Sequence, residues 1–169
     1  SGLLKQANVN AQTIELVTQE EYLFEFQLSL THSSHNPREN CDLYKFVGVK
    51  VLDLIVAEYL FFGYPTAEEK WLTNIKQSMV NADQVSELAK KANINDFIVY
   101  GTDIRESLEK YPDRSGNPTY KKMLRDIFKA FLGVLVHIFD RVRGHGVGYS
   151  VAYNFYSFYM EQTTVSTNY

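Results

Sequence analysis

The sequence predicts an all-α domain. Three observations carry that reading: apolar residues recur at helical spacing almost throughout, Gly and Pro clusters interrupt them only at helix-length intervals, and hydrophobic residues make up 45% of the 169. A chain of this length is ordinarily one domain and buries roughly 70% of its unfolded surface, so it needs no covalent staple. The 11 Phe and 12 Tyr suit a helical core with aromatic filler. Cys41 is the single cysteine, which excludes an internal disulfide and a cysteine-based zinc site and is compatible with a reducing, intracellular compartment.

The elements follow in order. Residues 13–30 carry Ile14, Leu16, Val17, Tyr22, Leu23, Phe24, Phe26 and Leu28, with Thr13 or Thr18 as the N-cap. The alternation from Phe24 to Leu28 also fits a strand, but its length favours helix. Ser33-Ser34-His35-Asn36-Pro37 is turn chemistry. From about Glu39 to Phe62 the pattern is apolar on nearly every face, as expected of a central helix surrounded by others, the buried spine of the domain. Gly63-Tyr64-Pro65 ends it, with glycine in a left-handed cap.

Amphipathic helices are expected over 68–80 and 82–92, the second capped by Asn81 or Asp83. Residues 102–118 mix charges with Pro112, Gly116 and Pro118, and 113–118 reads as loop. A long helix covers 120–140, Arg143-Gly144-His145-Gly146-Val147-Gly148 breaks it, and an aromatic helix runs to about Gln162. There is no internal repeat and no low-complexity block. The packed domain is therefore expected over 13–163. Residues 1–12 form an N-terminal extension opening on a tag scar at Ser1-Gly2, and 164–169 form a tail.

Net charge is −3, so the chain as a whole does not attract a phosphate backbone. Locally, Lys121, Lys122, Arg125 and Lys129, then Arg141 and Arg143, read either as an RNA-binding stripe or as a solvated helix face. No apolar run reaches the ~20 residues that span a bilayer, and no signal-peptide pattern opens the sequence. The glycine-rich break follows a helix instead of linking a strand to a helix, so it reads as a loop with one left-handed residue and not as a phosphate cradle. His32 and His35 lack a recognisable third ligand, His137 sits in the apolar run 134–139, and each reads as structural.

Several segments in one order resemble a known family. Asp42-Leu43-Tyr44-Lys45-Phe46-Val47-Gly48-Val49 is similar to the ribonuclease III signature Glu-Arg-Leu-Glu-Phe-Leu-Gly-Asp, with Leu30-Thr31-His32-Ser33-Ser34 before it and Tyr64-Pro65 closing its helix. Glu69-Lys70-Trp71-Leu72-Thr73, Met79-Val80-Asn81, the run from Glu87 to Ile94 and the run from Asp126 to Gly133 resemble further family elements. The span 102–120 is an insertion whose role the resemblance leaves open.

The resemblance implies an all-α ribonuclease III-type endonuclease fold that dimerises through the signature helix, with Phe46 as the interface phenylalanine and Lys45 where the family has a Glu. Family metal acids map to Asp42, Val49, Glu69, Asp126 and Lys129. Val49 offers no oxygen and Lys129 brings a cation, so Lys129 is expected to replace the metal and bridge Asp126 and Asp42. The implied function is a catalytically inactive ribonuclease III-like subunit, not an enzyme. It is expected to act as a dimerisation scaffold in a ribonucleoprotein complex and to touch double-stranded RNA through Lys121, Lys122 and Arg125. No metal, cofactor, membrane or small-molecule substrate is expected. Its partner is a second ribonuclease III-like domain, in a homodimer or in a heterodimer with an acidic residue opposite Lys45. The alternatives are a metal-dependent double-stranded RNA endonuclease with a depleted site, and a non-catalytic partner that activates an intact subunit. Comparable degenerate domains occur in mitochondrial ribosomes and RNA-editing complexes, which makes a mitochondrial location a further expectation.

Overall fold

The computed structural model describes residues 2–5 and 7–165. They form α1 (Gly2–Lys5), α2 (Ala11–Val17), α3 (Glu20–Ser29), α4 (Asp42–Gly63), α5 (Glu69–Met79), α6 (Ala82–Lys91), a 3-10 turn (Ile94–Asp96), α7 (Thr102–Lys110), α8 (Pro118–Arg143) and α9 (Val147–Val165). The fold is all-helical, as the sequence predicts. Among the described residues sheet-like pairing is confined to Thr31 beside Val99, where the His32 N–H donates to the Val99 carbonyl at 2.8 Å.

The spine of the molecule is α8, not α4. Its residues Met123, Leu124, Ile127, Phe128, Phe131, Leu132, Val134, Leu135, Ile138 and Phe139 are all buried, and they point in every direction round the helix. It packs on α2, α3, α4, α6, α7 and α9. Pro118 pre-sets the first turn, and the buried Asn117 caps it by accepting from the Tyr120 N–H at 3.0 Å. By contrast α4 buries only one face, through Gly48, Val51, Leu52, Ile55, Val56 and Leu60. An all-round apolar pattern is shared by an interior helix and by one with a face reserved for a partner, so the pattern alone misassigned the spine.

Other boundaries shift for local reasons. The helix expected over 13–30 is two, because the Thr18 hydroxyl donates to the Ile14 and Glu15 carbonyls at 2.9 and 3.0 Å and closes α2. The cap of α2 is Asn10, accepting from the Thr13 N–H at 2.8 Å, and Thr13 lies buried inside the helix. Gln19 opens α3 without a side-chain cap. Leu4 and Ala7 are buried, so packing reaches into the stretch read as an extension. The end of the expected tail, from 166 on, and Ser1 of the expected scar lie outside the described residues. Gly63 is the last helical residue, not a left-handed cap. Positive φ falls at Gly144 (107°) and Gly146 (91°), two residues where one was expected, and together they reverse the chain between α8 and α9. Residues 102–110 are helical: Ile104 is buried and Leu108 packs on the core, four residues apart on one face.

Where α4 and α8 cross, their backbones touch. A Cβ on Gly48 would stand 1.7 Å from the Lys129 carbonyl oxygen, and one on Gly133 would stand 2.1 Å from that of Tyr44. This contact sets the acidic start of α4 against the middle of α8.

Candidate functional site

Asp42 occupies the first turn of α4, where a carboxylate suits the helix dipole. One turn on, the Lys45 ammonium lies 2.6 Å from Asp42 Oδ1 and reaches across the crossing to within 3.8 Å of Asp126 Oδ2 on α8. Asp126, whose side chain is only 14% exposed, also takes the Arg125 guanidinium at 2.8 and 2.9 Å. Burial alone would lower the Lys45 ammonium, but the hydrogen bond to Asp42 and the charges of Asp126 and Asp42 raise it above its ordinary value. Beside them the Cys41 thiol is buried, and burial with the Asp42 charge pushes it up to about 12.

The expected bridge is thus present with a different lysine in it: Lys45, not Lys129, joins Asp42 to Asp126. Spacing within α8 places Lys129 one turn from Asp126, but among the described residues no carboxylate lies within 4.0 Å of its ammonium. Burial first, and then the Arg125 charge, depress the Lys129 ammonium, with Asp126 only partly offsetting them. Val49 is 38% exposed on α4 and contributes no polar atom. Glu69 opens α5 on the surface, and no hydrogen bond or ion pair joins it to this cluster among the described residues.

The acidic positions do not meet the needs of the divalent ions that the fold family implies. A magnesium ion seeks several oxygens in an octahedral shell. Here the two carboxylates that meet are already neutralised by Lys45 and Arg125, and Lys129 adds a third cation one turn away. Among the described residues no group of three or more Asp, Glu, His or Cys converges. The donor set of this chain does not fit such an ion.

A second feature lies on the outer side of α4. Leu43, Phe46, Val47, Leu54, Phe61 and Phe62 are all exposed, Leu43 and Phe46 at 74% each. Leu43, Phe46, Val47, Leu54 and Phe61, spaced by three, four and seven residues, line one side of the helix, with Phe62 beside them. Phe61 and Phe62 stack edge to face with centroids 5.6 Å apart.

Of the expected RNA-binding residues, Lys121 is held by Asp83 at 2.7 Å and Arg125 by Asp126, while Lys122 stands exposed. Sequence reading missed a cluster centred on Glu25, which accepts from Tyr44 Oη at 3.1 Å and lies against His137 Nε2 at 3.0 Å and the Arg141 guanidinium. His137, expected within an apolar interior run, instead stands half exposed on the outer side of α8. Burial, then Glu25, raises the Tyr44 hydroxyl to about 12. No signal in the sequence pairs residue 25 with residue 141, since the contact spans separate helices. The Asp42 and Lys45 pair, at spacing of three, was visible.

Comparison with known proteins then places the chain. The ribonuclease III domain family model matches residues 42–137. Ribonuclease 3 of Enterococcus faecalis is 34% identical over 91 residues, covering 54% of this chain and 36% of that protein. Ribonuclease 3 of Oenococcus oeni is 35% identical over 122 residues, covering 72% and 46%. The chain therefore spans less than half the length of these relatives. The crystal structure of the nuclease domain of ribonuclease III from Campylobacter jejuni superposes with a TM-score of 0.67 at 21% identity, covering 96% of this chain and 93% of that one. A second structure of that domain, described for flexibility in a region involved in dimer formation, gives 0.63 over 92% and 94%. The expectation that the chain is not an enzyme is corrected by these relatives: they are named Ribonuclease 3, and the family points to an enzyme.

Proposed function

The chain belongs to the ribonuclease III domain family, and on that premise we propose that it acts on double-stranded RNA as one half of a dimer built on α4. The observation that carries this reading is the exposed apolar side of α4. A row of leucine, valine and phenylalanine on one helix face is the surface that a soluble domain keeps for a partner. A twofold contact through that face brings each Phe46 against the other subunit and removes both rows from water. Stable pairing of this kind buries about 1,200–2,000 Å² in total.

The partner is a second ribonuclease III-type domain. Lys45 already satisfies its charge on Asp42 and Asp126 of its own chain, so a second copy needs no special acid opposite it. Duplex RNA is recognised by shape and through its backbone, which requires local cations and not a basic chain. Inside a larger ribonucleoprotein the same contact gives the domain a scaffolding role.

Sedimentation equilibrium on the wild type and on Phe46→Asp tests the pairing: the wild type should be dimeric and the variant shifted to monomer. Retention and cleavage of long duplex RNA, with magnesium and with manganese, test the rest. A wild-type monomer that neither retains nor cuts duplex RNA overturns the proposal.

A further inference from the structure

We infer that the α4–α8 crossing holds an oxyanion site in which Lys129, flanked by Arg125 and Lys45, receives a phosphate group of the RNA backbone without a divalent ion. The inference rests on the RNA-directed reading above and assigns it a contact point. Lys45 and Arg125 are ion-paired there with Asp42 and Asp126, and Lys129, one turn on from Arg125 and Asp126 along α8, lies within reach of the charges of Arg125, Asp126 and Lys45. Lys45 is consumed in joining Asp42 to Asp126, and Arg125 is consumed on the other oxygen of Asp126. Asp53, another acid near enough to influence Lys129, is taken by Lys76 at 2.9 Å. Lys129 is therefore left with a positive charge, partly withdrawn from water, and no anion of its own among the described residues.

A half-buried ammonium beside a second cation is destabilised by desolvation and by repulsion, and an arriving oxyanion relieves both. Lysine serves such a role as a point charge and demands no fixed geometry of the ligand. Val49, where an acid would repel a phosphate, is neutral. The internal ion pairs have a second effect. They cancel the two carboxylates that would otherwise push a phosphate away, so the net charge facing the ligand is positive in a chain that is acidic overall.

The test is filter retention of long duplex RNA over a series of KCl concentrations, in EDTA and again with magnesium. Wild type should bind in EDTA, and Lys129→Ala should reduce the slope of log affinity against log salt by roughly 1, the loss of one phosphate contact. Lys129→Arg should restore the slope, and Lys110→Ala, an exposed charge at the end of α7, serves as the reference. Circular dichroism checks that each variant is folded, with Lys129→Gln as the second neutral variant. An unchanged slope in both neutral variants, or wild-type binding that vanishes in EDTA, overturns the inference. If the wild type retains no duplex at all, the RNA reading fails by itself. The site is then judged with inorganic phosphate alone: a rise in Tm for wild type that is absent in Lys129→Ala sustains it, and an equal response in both sinks it.

Discussion

Substituting Gly48 by Ala should loosen the domain at its tightest point. The new Cβ would lie 1.7 Å from the Lys129 carbonyl oxygen, half the 3.4 Å at which ordinary contact begins, and the obstacle is backbone on both sides. No rotamer change relieves such an overlap, so α4 and α8 must separate. Alanine gains about 1 kcal/mol of helix propensity over glycine. Against this, overpacking a well-filled core costs about 1–3 kcal/mol where side chains can adjust, and more where they cannot. Separation also thins the packing of α4 on α8 that buries Leu52, Ile55, Ile127 and Phe131. The net loss should be about 2 kcal/mol, and at about 2–4 °C per kcal/mol for a domain of this size Tm should fall by about 4–8 °C. Thermal and urea unfolding followed by circular dichroism measure it, with Gly63→Ala as the comparison because a Cβ there meets nothing within 4 Å. A Gly48→Ala protein as stable as wild type, or a Gly63→Ala protein that loses as much, would refute the reasoning.

Three other outcomes are expected. Asn117→Ala removes the cap of α8 and the bond its buried amide makes to the Ser107 carbonyl at 3.0 Å, so equilibrium unfolding in urea should show a loss of about 1–2 kcal/mol. Lys129→Met should raise the stability of the isolated domain at neutral pH, since the native fold disfavours the ammonium. The sign follows from the depressed value: the cost is present while lysine is charged in both states and disappears as pH rises from the depressed value through 10.5, so the gap between variant and wild type should close in that window of alkaline titrations. Cys41, buried and with its thiol held near 12, should resist alkylation in the native protein at pH 8 and react on unfolding; prompt native labelling, followed by mass spectrometry, would contradict the packing.

The helices of the core were legible because their apolar spacing is long and regular, and the acidic positions were legible because Asp42, Lys45, Asp126 and Lys129 can be read directly. What the sequence could not state is which residues meet across helices. Spacing of three within α8 favoured Lys129 as the bridge, but the side chain that reaches both carboxylates starts from α4, across a crossing set by two glycines. The same blindness exchanged the roles of α4 and α8. Helix α7 escaped because only Ile104 and Leu108 mark its face among charges, while the later Pro and Gly spoke for a loop. The break at Thr18 escaped because a threonine hydroxyl closing a turn leaves no compositional trace.

That α8 is ringed by six other helices has a temporal consequence. During synthesis the helices that precede α8 must leave the ribosome with much of their apolar surface unmatched, since the element they condense on is finished only at Arg143. Nascent chains shorter than this should remain open to proteases and chaperones, and protection should arrive abruptly, not helix by helix.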